Sequence, residues 1–110
     1  MQKALFRNGN LQYKCPVCGY HEIPVQVGVK IARAWEWNGD VVNPTVSPSV
    51  KHFVPESADV EPELKKFVCH YFIKNGAIEF CGDCTHGKAG QVLPLESYSE
   101  AEVKLHSLEQ

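Results

Sequence analysis

The chain has 110 residues, of which 44% are hydrophobic, and a formal net charge of −2 at pH 7. This size predicts a single domain over residues 1–110, near the lower limit at which an apolar core is stable without a disulfide or a metal. The balanced charge argues against nucleic-acid partners, and without a signal peptide or an apolar run of roughly 18 residues we expect a cytoplasmic protein that does not enter a membrane.

The first motif along the chain is a pair of cysteines between two apolar segments, in LQYKCPVCGYHEIPVQV. We predict a short strand before Cys15-Pro16-Val17-Cys18-Gly19 and a second strand that leads out through Ile23 to Val29. Pro16 and Gly19 shape the turn so that both sulfurs face one point. This pattern is typical of a zinc knuckle on a hairpin.

The middle of the chain alternates between extended and loop-like segments. In IARAWEWNGD, Ala32, Ala34 and the Trp35/Trp37 pair alternate in a strand that ends at a tight Asn38-Gly39 turn, with the tryptophans in core and rim packing. NPTVSPSVKHFV has two prolines four residues apart, so we expect an extended segment that is neither a central strand nor a helix. PESADVEPELKK is polar and acidic, which predicts a surface loop with at most one helical turn.

A β-hairpin is the best-defined element, in FVCHYFIKNGAIEFCGDCTH. Asn75-Gly76 predicts a two-residue turn. Pairing outward from this turn sets Ile73 opposite Ile78, Tyr71 opposite Phe80, Cys69 opposite Gly82, and His70 opposite Cys81. The apolar face then consists of Phe67, Cys69, Tyr71, Ile73, Ile78 and Phe80. Because side chains alternate along a strand, Cys69 and His70 should point in opposite directions.

The tail carries a capping-box pattern at Ser99-Glu100-Ala101-Glu102, which predicts a short C-terminal helix. The whole pattern predicts a mostly β fold of the small α+β kind. We expect compact antiparallel hairpins, arranged as two small sheets or a crumpled barrel and stapled by a structural zinc.

Clustered cysteine and histidine residues suggest a zinc site. Five cysteines without an export signal disfavour a disulfide framework. Cys15 and Cys18 supply two thiolates, and a tetrahedral structural zinc needs two more ligands. The other candidates are Cys69, His70, Cys81, Cys84 and His86, with His21 as a nearby substitute. Spacing alone favours Cys81 with Cys84, whereas the alternative without metal is that these thiols pack as small hydrophobic groups.

Several short sequence motifs occur in order along the chain: CPVCGYH, WEWNGD, PTVSPSV, CHYF, NGAIEF, DCTH and AGQVLPL. Together they resemble a group of phage and bacterial proteins, some loosely labelled ammonia monooxygenase, and the BubE-like peptidases of bacterial ubiquitin-like conjugation operons. The resemblance covers about residues 13–95 and leaves 96–110 as a tail. The sequence does not support monooxygenase activity, because the cysteine-rich cluster suits a closed zinc site better than an oxygen-activating centre.

The resemblance implies a set of metal ligands and a set of catalytic residues. In the family pattern an apolar residue commonly occupies the position of Cys81, which favours Cys15, Cys18, Cys69 and Cys84 as ligands. The family also implies a serine nucleophile in PTVSPSV, for which Ser49 is the first choice and Ser47 the alternative. His70 would then be the base and Asp83 its orienting partner. His86, or backbone N–H groups within Gly87 to Gly90, would stabilise an oxyanion.

Three functions compete at this point. The first is a zinc-stabilised serine peptidase acting on a protein or a ubiquitin-like conjugate. The second is a non-enzymatic, zinc-ribbon-like module that binds a protein, such as a host factor if the gene is viral, with an exposed apolar patch around Trp35 or Trp37. The third is a zinc hydrolase with His70 or His86 among only three protein ligands. Serines beside prolines are also ordinary turn residues.

Overall fold

The computed structural model describes residues 1–28 and 33–108. Within these ranges eight strands are followed by one α-helix. The strands are β1 (Ala4–Arg7), β2 (Asn10–Cys15), β3 (Gly19–Val27), β4 (Trp35–Trp37), β5 (Val46–Phe53), β6 (Val68–Lys74), β7 (Ala77–Phe80) and β8 (Val92–Pro94), and the helix is α1 (Glu100–Leu108). The predicted mostly β class with a short C-terminal helix is confirmed.

The eight strands form one sheet in chain order. Each strand pairs antiparallel with the next, except that β3 and β4 run parallel. The first six residues of β3 pair with β2, as Tyr13 with His21, and its last three residues pair with β4. The predicted strand residues Val29 and Ala32 lie outside the described residues. Ala34 precedes β4, which is shorter than predicted.

The β6–β7 hairpin has the predicted register next to its turn. Tyr71 pairs with Phe80 and Ile73 with Ile78, and both turn residues have positive φ, 49° at Asn75 and 80° at Gly76. These angles suit a two-residue hairpin turn. The ladder ends at Phe80, so in the described chain the predicted pair of Cys69 with Gly82 does not form.

The segment with two prolines corrects the prediction from sequence. We expected no central strand there, but β5 lies between β4 and β6. Val46 pairs with Ile73 and Val50 with Tyr71, so the three residues Ser47-Pro48-Ser49 oppose the single residue Phe72. Such a bulge interrupts the ladder. Pro48 is tolerated because no ladder hydrogen bond is required from a residue within the bulge.

The core lies on one face of the sheet and contains the predicted apolar face of the hairpin. Tyr71, Ile73, Ile78 and Cys69 are fully buried, whereas Phe67 is only partly buried against the core. Other core residues are Leu11, Tyr13, Ile23, Val25, Trp37, Val46, Val50, Phe80 and Leu95. This packing leaves the opposite face of β5 and β6 free for polar side chains.

The acidic loop and the C-terminal helix match their predictions. The loop contains one 3-10 turn, Leu64–Lys66. At the start of α1 the Ser99 N–H donates to Glu102 Oε1 at 2.9 Å, and the Glu102 N–H donates to Ser99 Oγ at 3.1 Å. This reciprocal pair is a capping box. Across the described ranges, no helix has the length and apolar character required to cross a bilayer.

Candidate active site and metal centre

Ser49 reaches the polar face of the sheet through the bulge in β5. Its neighbour Val50 is 1% exposed and pairs with Tyr71 on the core face. Because successive side chains of a strand point to opposite faces, Ser49 and Lys51 lie on the other side. His70 pairs with Lys51 and shares that side. The bulge therefore brings the serine hydroxyl diagonally next to the histidine ring.

The His70 ring joins a hydroxyl and a carboxylate. Its Nε2 lies 3.0 Å from Ser49 Oγ, and its Nδ1 lies 3.0 and 3.1 Å from the two carboxylate oxygens of Asp83. A carboxylate accepts the Nδ1 proton, which leaves Nε2 unprotonated to accept the Ser49 O–H. Ser47 pairs with Glu36 of β4 instead. Of the two candidate nucleophiles, Ser49 is the one in contact with His70.

The loop after β7 holds Asp83 in place by hydrogen bonds to the backbone of β6. The Cys81 N–H donates to the His70 carbonyl at 2.8 Å. The Cys84 thiol donates to the same carbonyl at 3.0 Å and accepts the His70 N–H at 3.3 Å. The hydrogen bond from His70, together with the positive charge of Lys51 at 3.9 Å, lowers the pKa of Asp83 below its ordinary value. The carboxylate is therefore ionised at neutral pH.

A second cluster lies behind this face, on the inner side of β6. The sulfurs of Cys15, Cys18 and Cys69 and one ring nitrogen of His21 all lie within 4.8 Å of one another. Three sulfurs and one imidazole form a ligand set typical of a structural zinc site. Among the described residues, His21 Nε2 is buried without a hydrogen-bond partner, which suits a nitrogen that binds a metal. The residues therefore fit a zinc ion.

The thiols of this cluster shift one another's pKa values. Hydrogen bonding from the Cys69 thiol lowers the pKa of Cys15, whereas the same contact with Cys15 raises the pKa of Cys69. Within the cluster one sulfur thus carries negative charge more readily than its neighbours. A thiolate is the form of cysteine that binds a metal.

The fourth member of the cluster differs from our first choice. Cys15, Cys18 and Cys69 come together as predicted, but His21, the substitute, joins them where we expected Cys84. Cys84 lies outside this group and bonds the His70 backbone. Cys81 also lies outside it, in a second group with His70 and Asp83.

His86 and the following loop make contacts of their own. The His86 ring packs edge-on against Phe80 at 4.6 Å, and its Nδ1 accepts the Lys88 N–H at 3.2 Å. The Gly90 N–H donates to the Phe80 carbonyl at 3.0 Å. Two of the backbone groups expected to stabilise an oxyanion, those of Lys88 and Gly90, are therefore already engaged.

Sequence reasoning missed His52, which connects the metal cluster to the core. Its ring stacks on His21 with centroids 3.9 Å apart, and its Nε2 lies 2.7 Å from the Tyr71 hydroxyl. That hydroxyl lies 2.6 Å from the Tyr13 hydroxyl. Burial, and then the neighbouring His21, lowers the pKa of His52 to about 4. Strand alternation was the available signal, because His52 shares the core face with Val50.

The tryptophans do not form the exposed patch that a binding module would need. Trp37 is 5% exposed and belongs to the core. Trp35 is partly buried, and its Nε1 donates to the Ser49 carbonyl at 3.0 Å. Both residues therefore serve packing, and Trp35 also positions the strand that carries Ser49.

A hydroxyl, an imidazole and a carboxylate in series are the arrangement that defines serine hydrolases. Residues 3–81, more than two thirds of the chain, match the family model described as bacterial ubiquitination-like system serine protease (BubE). The chain belongs to this family. The matched region includes Ser49 and His70 and ends before Asp83. The comparisons found no match among curated proteins and none among solved structures.

Proposed function

We propose that the chain is a zinc-stabilised serine peptidase in which Ser49 is the nucleophile, His70 the base and Asp83 the residue that orients the base. The observation that carries the proposal is the unbroken hydrogen-bond series from Ser49 Oγ through the His70 ring to Asp83. A serine hydroxyl is a weak nucleophile until an oriented base removes its proton. The family description supports the same class of reaction.

Each proton has a defined path in the proposed mechanism. Ser49 Oγ attacks the carbonyl carbon of the substrate while its proton moves to His70 Nε2. The Nδ1–H stays bonded to Asp83, whose negative charge stabilises the imidazolium. His70 then donates the Nε2 proton to the leaving amine as the C–N bond breaks. Water attacks the acyl-enzyme by the same route and releases the acid.

The surroundings of Ser49 favour a protein chain as substrate. The side chain of Asp83 is 49% exposed, so the series lies at an open surface. A cavity of about 430 Å³ lies around Met1, Tyr98 and Val103, not at the hydroxyl. An open surface suits a protein chain better than a small ligand, which is usually enclosed. With the family description, this favours a ubiquitin-like precursor or conjugate as substrate.

The proposed zinc is structural, held by Cys15, Cys18, Cys69 and His21. Four protein ligands close a tetrahedral site and leave no position for a substrate or a reactive water. Cys69 is adjacent to His70 on β6, so the metal would fix the strand that carries the base. Free thiols in this cluster fit a reducing compartment, which supports a cytoplasmic location.

The proposal is tested by replacing each of the two serines. The substrate probe is a ubiquitin-like protein with a reporter fused to its C-terminus, and a fluorophosphonate that labels activated serines gives a readout without a substrate. Ser49→Ala should lower the cleavage rate by at least about 10³-fold, the scale of losing a nucleophile. It should also abolish labelling without lowering the melting temperature.

Ser47→Ala is the matched control, since it removes an equivalent hydroxyl from the same bulge. It should retain cleavage and labelling. Full cleavage by the Ser49→Ala variant, or peptide mapping that places the label on another residue, would refute the assignment of Ser49.

A further inference from the structure

We propose that His70, Cys81 and Asp83 form a second transition-metal site, which takes Zn²⁺ or a similarly thiophilic divalent cation and inhibits the enzyme when occupied. One ligand atom from each of these residues lies within 4.8 Å of the other two. The inhibitory consequence rests on the proposed function, whereas the binding itself does not.

The donor set suits such a cation and is open to solvent. A thiol sulfur, an imidazole nitrogen and a carboxylate oxygen are all zinc ligands. The side chains of His70 and Asp83 are 25% and 49% exposed, so an ion can enter from solution. Three protein ligands leave a position for water, which predicts weaker binding than at the four-ligand cluster. The serine mechanism has no use for the Cys81 thiol.

A cation at this site would disable the base through its protonation state. His70 Nδ1 faces Asp83, whereas Nε2 faces Ser49. A metal bound between Nδ1 and the carboxylate must displace the Nδ1 proton. A neutral imidazole then carries its proton on Nε2 and donates to Ser49 Oγ instead of accepting from it. The hydroxyl would keep its proton and remain a poor nucleophile.

The binding experiment counts zinc equivalents by competition with a chromophoric chelator. The wild-type protein should bind two Zn²⁺, one tightly at the cysteine-rich cluster and one more weakly. In Cys81→Ser the affinity for the second equivalent should fall by more than about 10-fold, because losing even a residue that only orients a ligand lowers metal affinity by that factor. The tight equivalent should remain, which shows that the variant is folded.

Glu61→Gln is the control, because Glu61 is an exposed acidic residue in the loop before β6 and lies outside the cluster. It should bind two equivalents with wild-type affinities. A single equivalent in the wild-type protein, or a second equivalent unchanged in Cys81→Ser, would overturn the proposal whatever the enzyme does.

The inhibition experiment compares rates with and without the second equivalent, each variant against its own rate with only the tight equivalent bound. Cleavage and fluorophosphonate labelling in the wild type should fall more than 10-fold, and a mild chelator should restore them. Cys81→Ser should respond at least 10-fold less. Activation by Zn²⁺ would overturn the inhibitory role and indicate a metal hydrolase.

Failure of the proposed function would look different. A protein that neither cleaves nor labels when only the tight equivalent is bound would contradict the serine mechanism. The ¹⁵N signals of the His70 ring still decide the metal site in that case. These signals should shift when the second equivalent binds. Unchanged signals would show that the metal does not bind the His70 ring.

Discussion

At the scale of single residues, His70 is held at both its backbone and its ring. Cys81 and Cys84 bond its backbone, while Ser49 and Asp83 bond its two ring nitrogens. A base that is already oriented loses little freedom as the substrate binds, which lowers the barrier of the chemical step. Under the proposed mechanism, these contacts on β6 hold His70 in the geometry required for the proton transfer.

Asp83→Asn should reduce kcat with little effect on folding. An amide can offer its N–H to Nδ1 and thereby favour the tautomer with the proton on Nε2, which cannot accept from Ser49. Replacing a triad carboxylate in this way costs up to about 10⁴-fold in kcat. Because Asp83 is half-exposed and screened by solvent, we expect a smaller loss of kcat here. Steady-state kinetics and thermal denaturation measure the two effects.

Asp59→Asn is the control for this experiment, since Asp59 is an exposed acid in the loop before β6. It should leave kcat unchanged. If Asp83→Asn also retained the wild-type kcat, Asp83 would have no role in orienting the base.

The sequence predicts some of these contacts and not others. Strand alternation placed Cys69 and His70 on opposite faces, which follows from local geometry alone. The choice between His21 and Cys84 as the fourth member of the metal cluster depends on how β3 and β6 face one another across the core. That arrangement depends on tertiary packing, which spacing along the chain does not determine.

At the scale of elements, the bulge in β5 does most to build the site. It lets a proline-containing segment run between two other strands and turns Ser49 toward His70. The rule that proline avoids central strands misled the prediction, because the rule assumes a regular ladder. A bulge is specified jointly by two strands, so one strand's sequence does not reveal it. By contrast, Asn75-Gly76 determined its hairpin locally.

The cap of α1 should control the stability of that helix. Ser99→Ala removes the oxygen that accepts the Glu102 N–H, and losing such a cap costs about 1 kcal/mol. Within the described residues α1 has no buried side chain, so packing compensates little. Amide hydrogen exchange should therefore quicken throughout α1 and stay unchanged in β6.

Ser107→Ala is the matched control, because Ser107 lies near the end of α1 and bonds only the Val103 carbonyl among the contacts described for it. It should alter exchange far less.

The cap also predicts a pH dependence. Bonds from the Ser99 N–H and then Lys14 lower the pKa of Glu102 from its ordinary 4.5. The stabilisation is present above pH 4.5 and is lost as the pH falls through the lower value in the folded chain. Protection factors of the α1 amides that stay constant through this range would contradict the role of Glu102.

At the scale of the whole molecule, β6 separates two clusters of side chains, one on each of its faces. Its inner face contributes Cys69 to the metal cluster, and its outer face contributes His70 to the hydrogen-bonded series. A single sheet joins the hairpin of β2 and β3, which carries most of the cysteine–histidine cluster, to the strands that carry Ser49 and His70. A metal bound to the cluster on one face would therefore hold His70 on the other face without touching the substrate of the proposed reaction.

Removing the metal should unfold the protein, because so small a chain gains only a limited free energy from its apolar core. Structural zinc binds small domains with a free energy of about 10–16 kcal/mol. This is at least as large as the free energy of unfolding of a typical protein, roughly 5–15 kcal/mol. We expect a strong chelator to abolish the near-ultraviolet circular dichroism of buried Tyr13, Tyr71 and Trp37. Stability should also fall at acidic pH, since protons compete with zinc for the thiolates.

Two single variants determine whether His21 or Cys84 completes the cluster. His21→Ala should lose the tight zinc equivalent and lower the melting temperature as strongly as Cys15→Ser does. Cys84→Ala should keep the tight equivalent and lose only the hydrogen bonds to the His70 backbone, at about 1 kcal/mol. The opposite result would make Cys84 a ligand and leave His21 as a packing partner of His52. If the metal-free wild type kept its melting temperature, the metal would have no structural role.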